Sequence, residues 1–501
     1  MPLNDIIFVK GQGGLGRPLT GEDHISGLIL YGTTVPSGFA TTATKVVYSV
    51  SDAEALGIVA DYSDATSAYS TIEITAIGND GDTVVIKVVE PDKTVTIASY
   101  TKVSGDSTAG AVAIAIESLI NAGTVNHGYT ATSGGTVVNV VAPKKLGVWL
   151  NSNSCDITNT GDISAVTDVT FNGGVASQLA VQHYHISEFF RLQPKGILWV
   201  HITENNPTDY SEIATVQNAS GGKVRQVAIY RRDSLSGSGE LATIQGICDA
   251  LDAVHKPVSS VLVGSDIVGV DLDQLANLAE LNAPKVSAVI GQDAGGLGKY
   301  LYDTNGVSMT CVGAVLGAVA LATVSQDIAW KGKFNFSNGT ECDTVGFANG
   351  QEYNTVAPSQ VDALCNYRYI FLVKNVGSAG SFANDSYTAV APTSDYCFIE
   401  NNRTIDKAIR GVYASLLPEI GAPIQLNADG TISDITINHL KSVAVPNLDQ
   451  MVRDSDLSNY SVDINPTQDV LATSKIIVSV NLLPKGVSRV IQVNIGFVTS
   501  I

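Results

Sequence analysis

Charge is scarce in this chain. Of its 501 residues, 15% are charged and 45% are hydrophobic, and 48 acidic residues outnumber 29 basic ones. The formal net charge of −19 argues against nucleic acid or an anionic membrane as the main partner, because both carry charge of the same sign. So little charge suits a protein that keeps much of its surface in contacts. A chain of this length has room for roughly two to four domains.

Cysteine pairs, a leader and a membrane-length apolar run are also missing. The six cysteines are scattered without CxxC spacing, which favours neither zinc nor redox chemistry and fits a reducing compartment. We expect no signal peptide, since MPLNDIIFVK has no basic flank followed by an apolar run. Residues Thr310–Val324 are apolar but too short for a membrane helix, so we expect Gly313 and Gly317 to let a core helix pack closely.

Enzymatic signatures are absent as well. No GxSxG, HExxH or Cys/His nucleophile pattern occurs. Residues Gly11–Gly16 match the GxGxxG dinucleotide fingerprint after a strand, but the following Arg17–Gly21 shows no helix that could hold a pyrophosphate. The loop Gly295–Lys299 resembles a phosphate loop but lacks its glycine offset. We therefore predict no enzyme and no cofactor.

Two histidines suggest a metal site. His183 and His185 are predicted to share one face of a strand, where two imidazoles could bind a metal. The third ligand, His201 or Glu188, would have to come from afar. A structural pair is therefore the favoured interpretation, and no metal is predicted.

An alternating strand pattern occurs near each end of the sequence. Residues Val490–Val498 alternate, and Asp5–Lys10 forms a shorter strand that leads at once into glycines. The partner of the last strand could be Lys475–Leu483 or another molecule, since the Pro484–Gly486 link does not guarantee a hairpin. A terminal strand without a partner in its own chain frays or pairs with another molecule. The residues predicted to exchange between subunits are Ile6, Ile7, Phe8, Val9, Val490, Ile491, Val493, Ile495 and Phe497.

The composition changes between residues 46 and 175. This stretch is rich in Thr, Val, Gly, Asp and Ser, with predicted strands at Thr71–Ile77 and Thr83–Val89 and a helix over Ala111–Asn121. A hairpin is indicated around Gly134 and Gly135. We predict an inserted, mostly β domain with one helix.

Strands and helices alternate in the region that follows. Predicted strands cover residues 196–202, 227–230, 259–263, 286–290 and 369–373, and predicted helices cover 241–254, 273–281 and 311–324. This alternation predicts an α/β sheet with helices on its faces. The last region is predicted to be α+β, with helices over Asn402–Leu417 and within Asp434–Asp454 before two closing strands.

Several segments follow one another in a recognisable order. An apolar strand leads into an R-T-x-x-K helix start in Cys397–Arg410, a Gly-Thr turn lies at Asp429–Thr431, and a Pro-x-Gly turn joins the closing strands at Pro484–Gly486. In order and spacing these segments resemble the C-terminal domain of contractile-tail sheath proteins, which build bacteriophage tails and related contractile injection systems. Gly14–Leu28 and Ala329–Asn335 are also similar to that family, so the resemblance covers about 1–45 and 176–501.

The resemblance implies a structural protein. Sheath subunits form six-fold rings stacked helically around an inner tube, lend terminal strands to neighbouring sheets, and contract to drive the tube through a target envelope. The implied partners are further copies of the chain, the tail tube protein, and the baseplate and tail terminator proteins, without nucleic acid or membrane. The implied location is the virion tail sheath, assembled in the host cytoplasm and used for genome ejection.

Rotation during contraction requires flexible links, and the sheath must also face its tube. Hinges are expected at Gly11, Gly13, Gly14, Gly16 and Gly486. Arg403, Lys407 and Arg410 form a polar stripe on a predicted helix and are possible tube-facing residues. An ordinary solvated helix face is the alternative interpretation of that stripe.

The predicted fold class is a multidomain α/β and α+β sheath core with an inserted, mostly β domain and strand-exchanging arms at both termini. The predicted parts are an N-terminal arm (1–20), an α/β sheath core (21–45 and 176–390), an inserted β domain as a surface decoration (46–175), a C-terminal α+β sheath domain (391–487) and a C-terminal arm strand (488–501). Two alternatives stay open: a Rossmann-like nucleotide-binding oxidoreductase that uses Gly11–Gly16, and another self-assembling tube or surface-layer protein.

Overall fold

The structure is a computed structural model and describes residues 21–32, 34–204, 209–231 and 238–497. Its strands in chain order are β1 (Ile25–Tyr31), β2 (Thr44–Val47), β3 (Tyr69–Ile77), β4 (Thr83–Val89), β5 (Thr94–Thr101), β6 (Thr130–Gly134), β7 (Val137–Val141), β8 (Asp156–Thr160), β9 (Ile163–Asn172), β10 (Ile197–Thr203), β11 (Gln226–Tyr230), β12 (Ser260–Gly264), β13 (Val286–Val289), β14 (Gly291–Asp293), β15 (Val345–Phe347), β16 (Tyr369–Ile370), β17 (Leu372–Val373), β18 (Phe382–Ala383), β19 (Leu457–Asp463) and β20 (Ser479–Pro484). Its α-helices are α1 (Val50–Ala55), α2 (Ala109–Ala122), α3 (Thr124–His127), α4 (Gln178–Leu192), α5 (Glu212–Ala219), α6 (Ser238–Ala253), α7 (Leu297–Asn305), α8 (Val312–Leu321), α9 (Pro358–Asn366), α10 (Ile399–Leu416), α11 (Asp434–Arg453) and α12 (Val470–Thr473).

A seven-stranded sheet forms the centre of the largest unit. Its strand order is β16-β13-β12-β11-β1-β10-β2, and neighbouring strands are parallel except for the edge strand β2, which runs antiparallel to β10. Strands β1, β11 and β12 are buried along their whole length, as expected for a sheet covered on both faces. The mixed α/β architecture predicted from the alternation of strands and helices is confirmed.

Helices α4 and α8 pack together over one face of this sheet. Every residue of α8 from Val312 to Ala320 is buried, which confirms the predicted core helix. A Cβ atom at Gly317 would lie 2.7 Å from the carbonyl oxygen of Phe189 in α4, and Gly313 lies equally tightly against His185. Glycine at these two positions therefore lets the helix backbones approach closely, as the sequence predicts.

Residues between Thr66 and Val175 form a unit with its own core. One sheet has the order β6-β7-β3-β9, another has the order β5-β4-β8, and α2 packs its buried face against them. A bridge between Thr66 and Val175 closes the neck of the unit. Beside this neck, the Asp64 carboxylate accepts hydrogen bonds from Ser177 Oγ and from the first backbone N–H groups of α4.

The C-terminal unit is built on two long helices. Helices α10 and α11 pack around Ala408 and Leu448, and the antiparallel pair β19 and β20 lies against the same cluster. A second small cluster surrounds Ile432 and Leu440. None of the described helices is both long and apolar enough to cross a bilayer.

Three local predictions are wrong. Residues 273–281 form two 3-10 turns, Leu272–Gln274 and Leu278–Glu280, instead of a helix. His183 and His185 lie on helix α4 rather than on a strand, because the aromatic segment continues the 3.6-residue apolar period of the buried helix. The β unit begins later than residue 46, since β2 pairs with β10 in the main sheet.

Candidate functional site

The last described residues form an exposed apolar arm. Residues 490–497 pair with no strand in the described part of the chain. Their apolar side chains are exposed: Val490 by 85%, Ile491 by 79%, Val493 by 67%, Ile495 by 90% and Phe497 by 109%. The strand predicted for this segment is therefore not formed within the described subunit, since no adjacent backbone supplies its ladder. Contiguous exposed apolar surface of this kind marks an interaction site.

The strand that could have paired with the arm is occupied elsewhere. Residues 475–483 contain most of β20, which pairs antiparallel with β19 from Ser479 opposite Asp463 to Pro484 opposite Leu457. Val480 and Leu482 pack toward the cluster shared by α10 and α11. The second edge of β20 has no partner among the described strands. A free strand edge presents unpaired backbone N–H and C=O groups, which makes it a template for another strand.

A groove of about 740 Å³ lies beside this free edge, between β20 and one face of α10. The α10 side chains in the groove are mostly apolar: Asn401, Thr404, Ile405, Ala408, Ile409, Val412 and Tyr413. Ile409 is 52% exposed, although its neighbours on the inner face of the helix are buried. His255 stacks on Tyr413 with ring centroids 4.0 Å apart and also lines the groove. A strand edge beside an apolar groove is the arrangement that accepts an added strand.

The root of the arm is held by an arginine in an acidic pocket. Arg489 Nε donates to the Asp385 carboxylate at 3.0 and 3.1 Å, and its terminal nitrogen donates to Glu400 at 2.6 Å. The same nitrogen lies 3.5 Å from Asp327, and the guanidinium carbon lies 3.4 Å from the ring centroid of Phe398. The three carboxylates are at most 9% exposed, while the arginine side chain is 27% exposed.

This pocket holds three carboxylates and one arginine, so the negative charges repel one another. Burial, together with the neighbouring Glu400 and Asp385, raises the pKa of Asp327 to about 7, although Arg489 counteracts the shift. Burial opposes the charge of Arg489, but the carboxylates outweigh it and raise its pKa. The arginine therefore keeps its charge and compensates buried acids that would otherwise repel one another.

The basic stripe on α10 is not an exposed surface. Arg403 is fully buried and donates to the carbonyl oxygens of Ala322, Thr323 and Asp23 at 3.1–3.2 Å. Lys407 bridges Asp23 and Asp456 at 2.7 Å, and Arg410 reaches Asp23 at 3.3 Å. The interpretation of Arg403, Lys407 and Arg410 as an exposed, tube-facing stripe is therefore corrected, because these cations hold α10 to the core of their own subunit.

Asp23 lies just after the predicted N-terminal arm. Burial works against its charge, but Lys407, Arg403 and Arg410 outweigh burial and lower its pKa. The adjacent Glu22 is paired with Arg225. The N-terminal strand residues Ile6, Ile7, Phe8 and Val9 and the hinge residues Gly11, Gly13, Gly14 and Gly16 lie outside the described residues. At Gly486, the other expected hinge, an added Cβ atom would meet nothing within 4 Å.

The alternative chemistries find no support in the described residues. In the loop that resembles a phosphate loop, the Asp293 carboxylate accepts the backbone N–H groups of Gly295, Gly296 and Gly298 at 2.9–3.2 Å. A side-chain carboxylate thus occupies the position that a phosphate would need. No group of His, Cys, Asp and Glu in the described ranges could hold a metal ion.

Sequence reasoning missed Arg489 and the free edge of β20. Arg489 stands among small and apolar residues directly before the alternating segment, and that isolated charge was the available signal. Its carboxylate partners lie about 90 to 160 residues earlier, so only the fold brings them together. The free edge depends on which strand β20 selects, and the alternation of residues does not determine that choice.

A family model covers the same unit. The model described as DUF2586, C-terminal domain, matches residues 395–501. The match begins just before α10 and includes α11, β19, β20 and the arm. No curated protein matches the chain.

Solved structures similar to this chain include sheath proteins. They include the PVC sheath complex of an extracellular contractile injection system in its contracted state, at 12% identity and a TM-score of 0.43, covering 64% of this chain and 80% of the other. A sheath tail protein from Desulfitobacterium hafniense is 11% identical with a TM-score of 0.37 and covers 96% and 100% of the two chains. A sheath tail protein from Listeria innocua is 11% identical with a TM-score of 0.39 and covers 93% and 96%.

Proposed function

We propose that this chain is a structural subunit of a contractile tail sheath. It polymerises as stacked hexameric rings around an inner tube and contracts to drive the tube through a target envelope. The observation that carries the proposal is the presence, in one chain, of an exposed apolar arm at 490–497 and a free strand edge beside an apolar groove. One element supplies a strand without a sheet, and the other supplies a sheet edge without its strand.

A chain that carries both a strand to donate and a sheet edge to accept one is suited to polymerisation. The contact is heterologous, so each subunit gives to one neighbour and receives from another, which produces closed rings or open helices. Eight extended residues reach about 26 Å at roughly 3.3 Å per residue. That length exceeds the six residues of β20, so the arm can pair along the whole edge.

Strand donation suits a device that must change shape without falling apart. Each net backbone hydrogen bond contributes about 1 kcal/mol, and an added strand makes several with little demand on sequence. Such straps hold neighbours together while the subunit bodies rotate. The N-terminal residues Ile6–Val9 are proposed as a second strap, with Gly11–Gly16 and Gly486 as the links that absorb rotation.

The partners follow from this role. They are other copies of the chain, a tail tube protein, and baseplate and terminator proteins at the ends of the cylinder, in a virion tail sheath assembled in the host cytoplasm. The unit between Thr66 and Val175 is a surface decoration, because the bridge between these two residues brings its ends together and the unit has its own hydrophobic cluster. The chain performs no catalysis in this role.

Negative-stain microscopy of the concentrated full chain tests the proposal. We expect hollow striated cylinders or stacked six-fold rings. A chain truncated after Arg489 should remain folded and form neither. Flat lattices or smooth tubes would favour another self-assembling protein, and a full chain that stays monomeric or dimeric at high concentration would contradict the proposal.

A further inference from the structure

The first described residues of the chain and the start of the C-terminal arm lie beside the same helix. The C-terminal arm begins after Arg489, which donates to Glu400 in the first turn of α10. The described chain begins at residue 21, and Asp23 is bound by Lys407 and Arg410 two to three turns further along α10. The two attachment points, Glu400 and Lys407, are seven residues apart, which corresponds to about 10 Å along a helix.

The attachment of Arg489 differs from an ordinary surface ion pair, because its carboxylate partners are buried. Glu400 and Asp385 are almost completely buried, and Ser386 Oγ also donates to Glu400 at 2.5 Å. Phe398 covers the guanidinium of Arg489 from one side. A planar guanidinium that donates to two different carboxylates and stacks on a ring is held in orientation as well as in position.

Helix α10 is in turn fixed to the main core. Arg403, between the two attachment points, donates to the backbone of Ala322 and Thr323 directly after α8. Lys285, at the start of β13, is bound to Asp406 at 3.0 Å. The helix therefore connects the arm roots to the seven-stranded sheet through buried polar contacts.

We propose that α10 is the common anchor of the two arms, with Arg489 and Asp23 as the positioning residues that fix where each arm leaves the subunit. This inference rests on the proposed strand exchange and adds the route by which force passes from one arm to the other. Tension from a neighbour that holds one arm passes through α10 to the root of the other arm, and the buried contacts of α10 tie this path to the core. The arms then keep a fixed spacing while the rest of the subunit rotates.

The direct test separates positioning from folding. Arg489→Gln alone would leave buried carboxylates unpaired. The test variant therefore combines Arg489→Gln with Asp385→Asn and Glu400→Gln, which removes the arginine of this ion-pair clamp together with two of its three carboxylate charges. Arg453→Gln is the matched control, because Arg453 lies at the exposed end of α11 and donates its hydrogen bonds to Gln450 on the same helix. A nitroxide label on Ser488→Cys, next to the clamp, reports the mobility of the arm root, and the native cysteines are mostly buried.

In the monomeric full chain, the label should be immobilised with Arg489 present and in the Arg453→Gln control, and mobile in the triple variant. The triple variant should unfold at the same urea concentration as the parent and need at least tenfold more protein to form cylinders. Asp23→Asn should also weaken assembly without unfolding the chain. An unchanged label spectrum in the triple variant, or unchanged assembly despite a mobile label, would overturn the anchor. If the parent chain forms no cylinders, the proposed function fails, and the label spectrum still decides whether Arg489 positions the arm.

Discussion

A buried histidine provides a quantitative test of the core. His185 on α4 is 0% exposed, and neither ring nitrogen has a hydrogen-bond partner. Its ring lies 4.2 Å from that of Tyr230 and 5.3 Å from that of Tyr184. Burial lowers its pKa from the usual 6.5 to about 3. The folded protein therefore binds this proton less tightly than the unfolded chain does, so the contribution of His185 to stability is complete above pH 6.5 and declines as the pH falls below it.

The expected magnitude follows from the two pKa values. At pH 5 the unfolded histidine is mostly protonated and the folded one is not, which costs the folded state about 2 kcal/mol relative to pH 8. His185→Phe keeps an aromatic ring in the site and removes the titration. The free energy of unfolding of the variant, minus that of the parent, should thus rise by about 2 kcal/mol from pH 8 to pH 5.

Urea unfolding of both proteins at pH 5, 6, 7 and 8 measures this difference, since titrations common to the two proteins cancel. Asp327 is one such group: its raised pKa makes the fold less stable as the pH rises, but it does so equally in both proteins. A difference that stays constant with pH would refute the account of His185 as a neutral core residue.

Four further outcomes are expected. Asp327→Asn should gain stability relative to the parent at pH 8 and clearly less at pH 5, because a carboxyl whose pKa is raised from 3.8 to about 7 on folding loses stability as the pH rises from about 4 to about 7; urea titration at both values checks this. Arg403→Met should lower the unfolding free energy by about 3 kcal/mol, since three buried backbone carbonyls lose a donor, whereas an exposed Arg453→Met should change it by less than about 0.5 kcal/mol. Gly317→Ala should lower the melting temperature because its Cβ would press on the α4 backbone, whereas Gly246→Ala, which meets nothing within 4 Å in α6, should keep or raise it. Ile409→Glu should abolish cylinders in the microscope and leave the circular dichroism unchanged, since Ile409 is already half exposed in the groove.

The parts of the fold that could be predicted are those with a local signal. The central strands and α8 are continuous apolar segments, and α10 and α11 follow the helical period, so each appears close to its predicted bounds. The segment 273–281 has enough apolar residues for a helix, but its leucines pack as two separate 3-10 turns against the sheet. Periodicity does not distinguish these two arrangements in so short a segment.

Only the arm could be predicted from the sequence, and the groove that accepts it could not. The alternation of Ile491, Val493 and Ile495 is visible in the sequence, and so is the glycine at 486. The acceptor half was not visible, because the groove combines β20 with a face of α10 some 70 residues away. The stripe Arg403–Arg410 misled for the same reason: spacing places cations on one helix face, and only tertiary structure shows that Asp23 faces them.

The central claim is that the arm of one subunit enters the groove of another, and mixing two defective chains tests it most directly. Both chains lack Met1–Lys10, which removes the second proposed strap. One is also truncated after Arg489 and keeps the groove without the C-terminal arm, while the other carries Ile409→Glu and keeps that arm with a blocked groove. Sedimentation velocity should show each protein as a monomer alone and a 1:1 heterodimer when the two are mixed, with no larger species. A truncated chain that still polymerises alone, or a mixture that stays monomeric, would contradict strand donation through this groove.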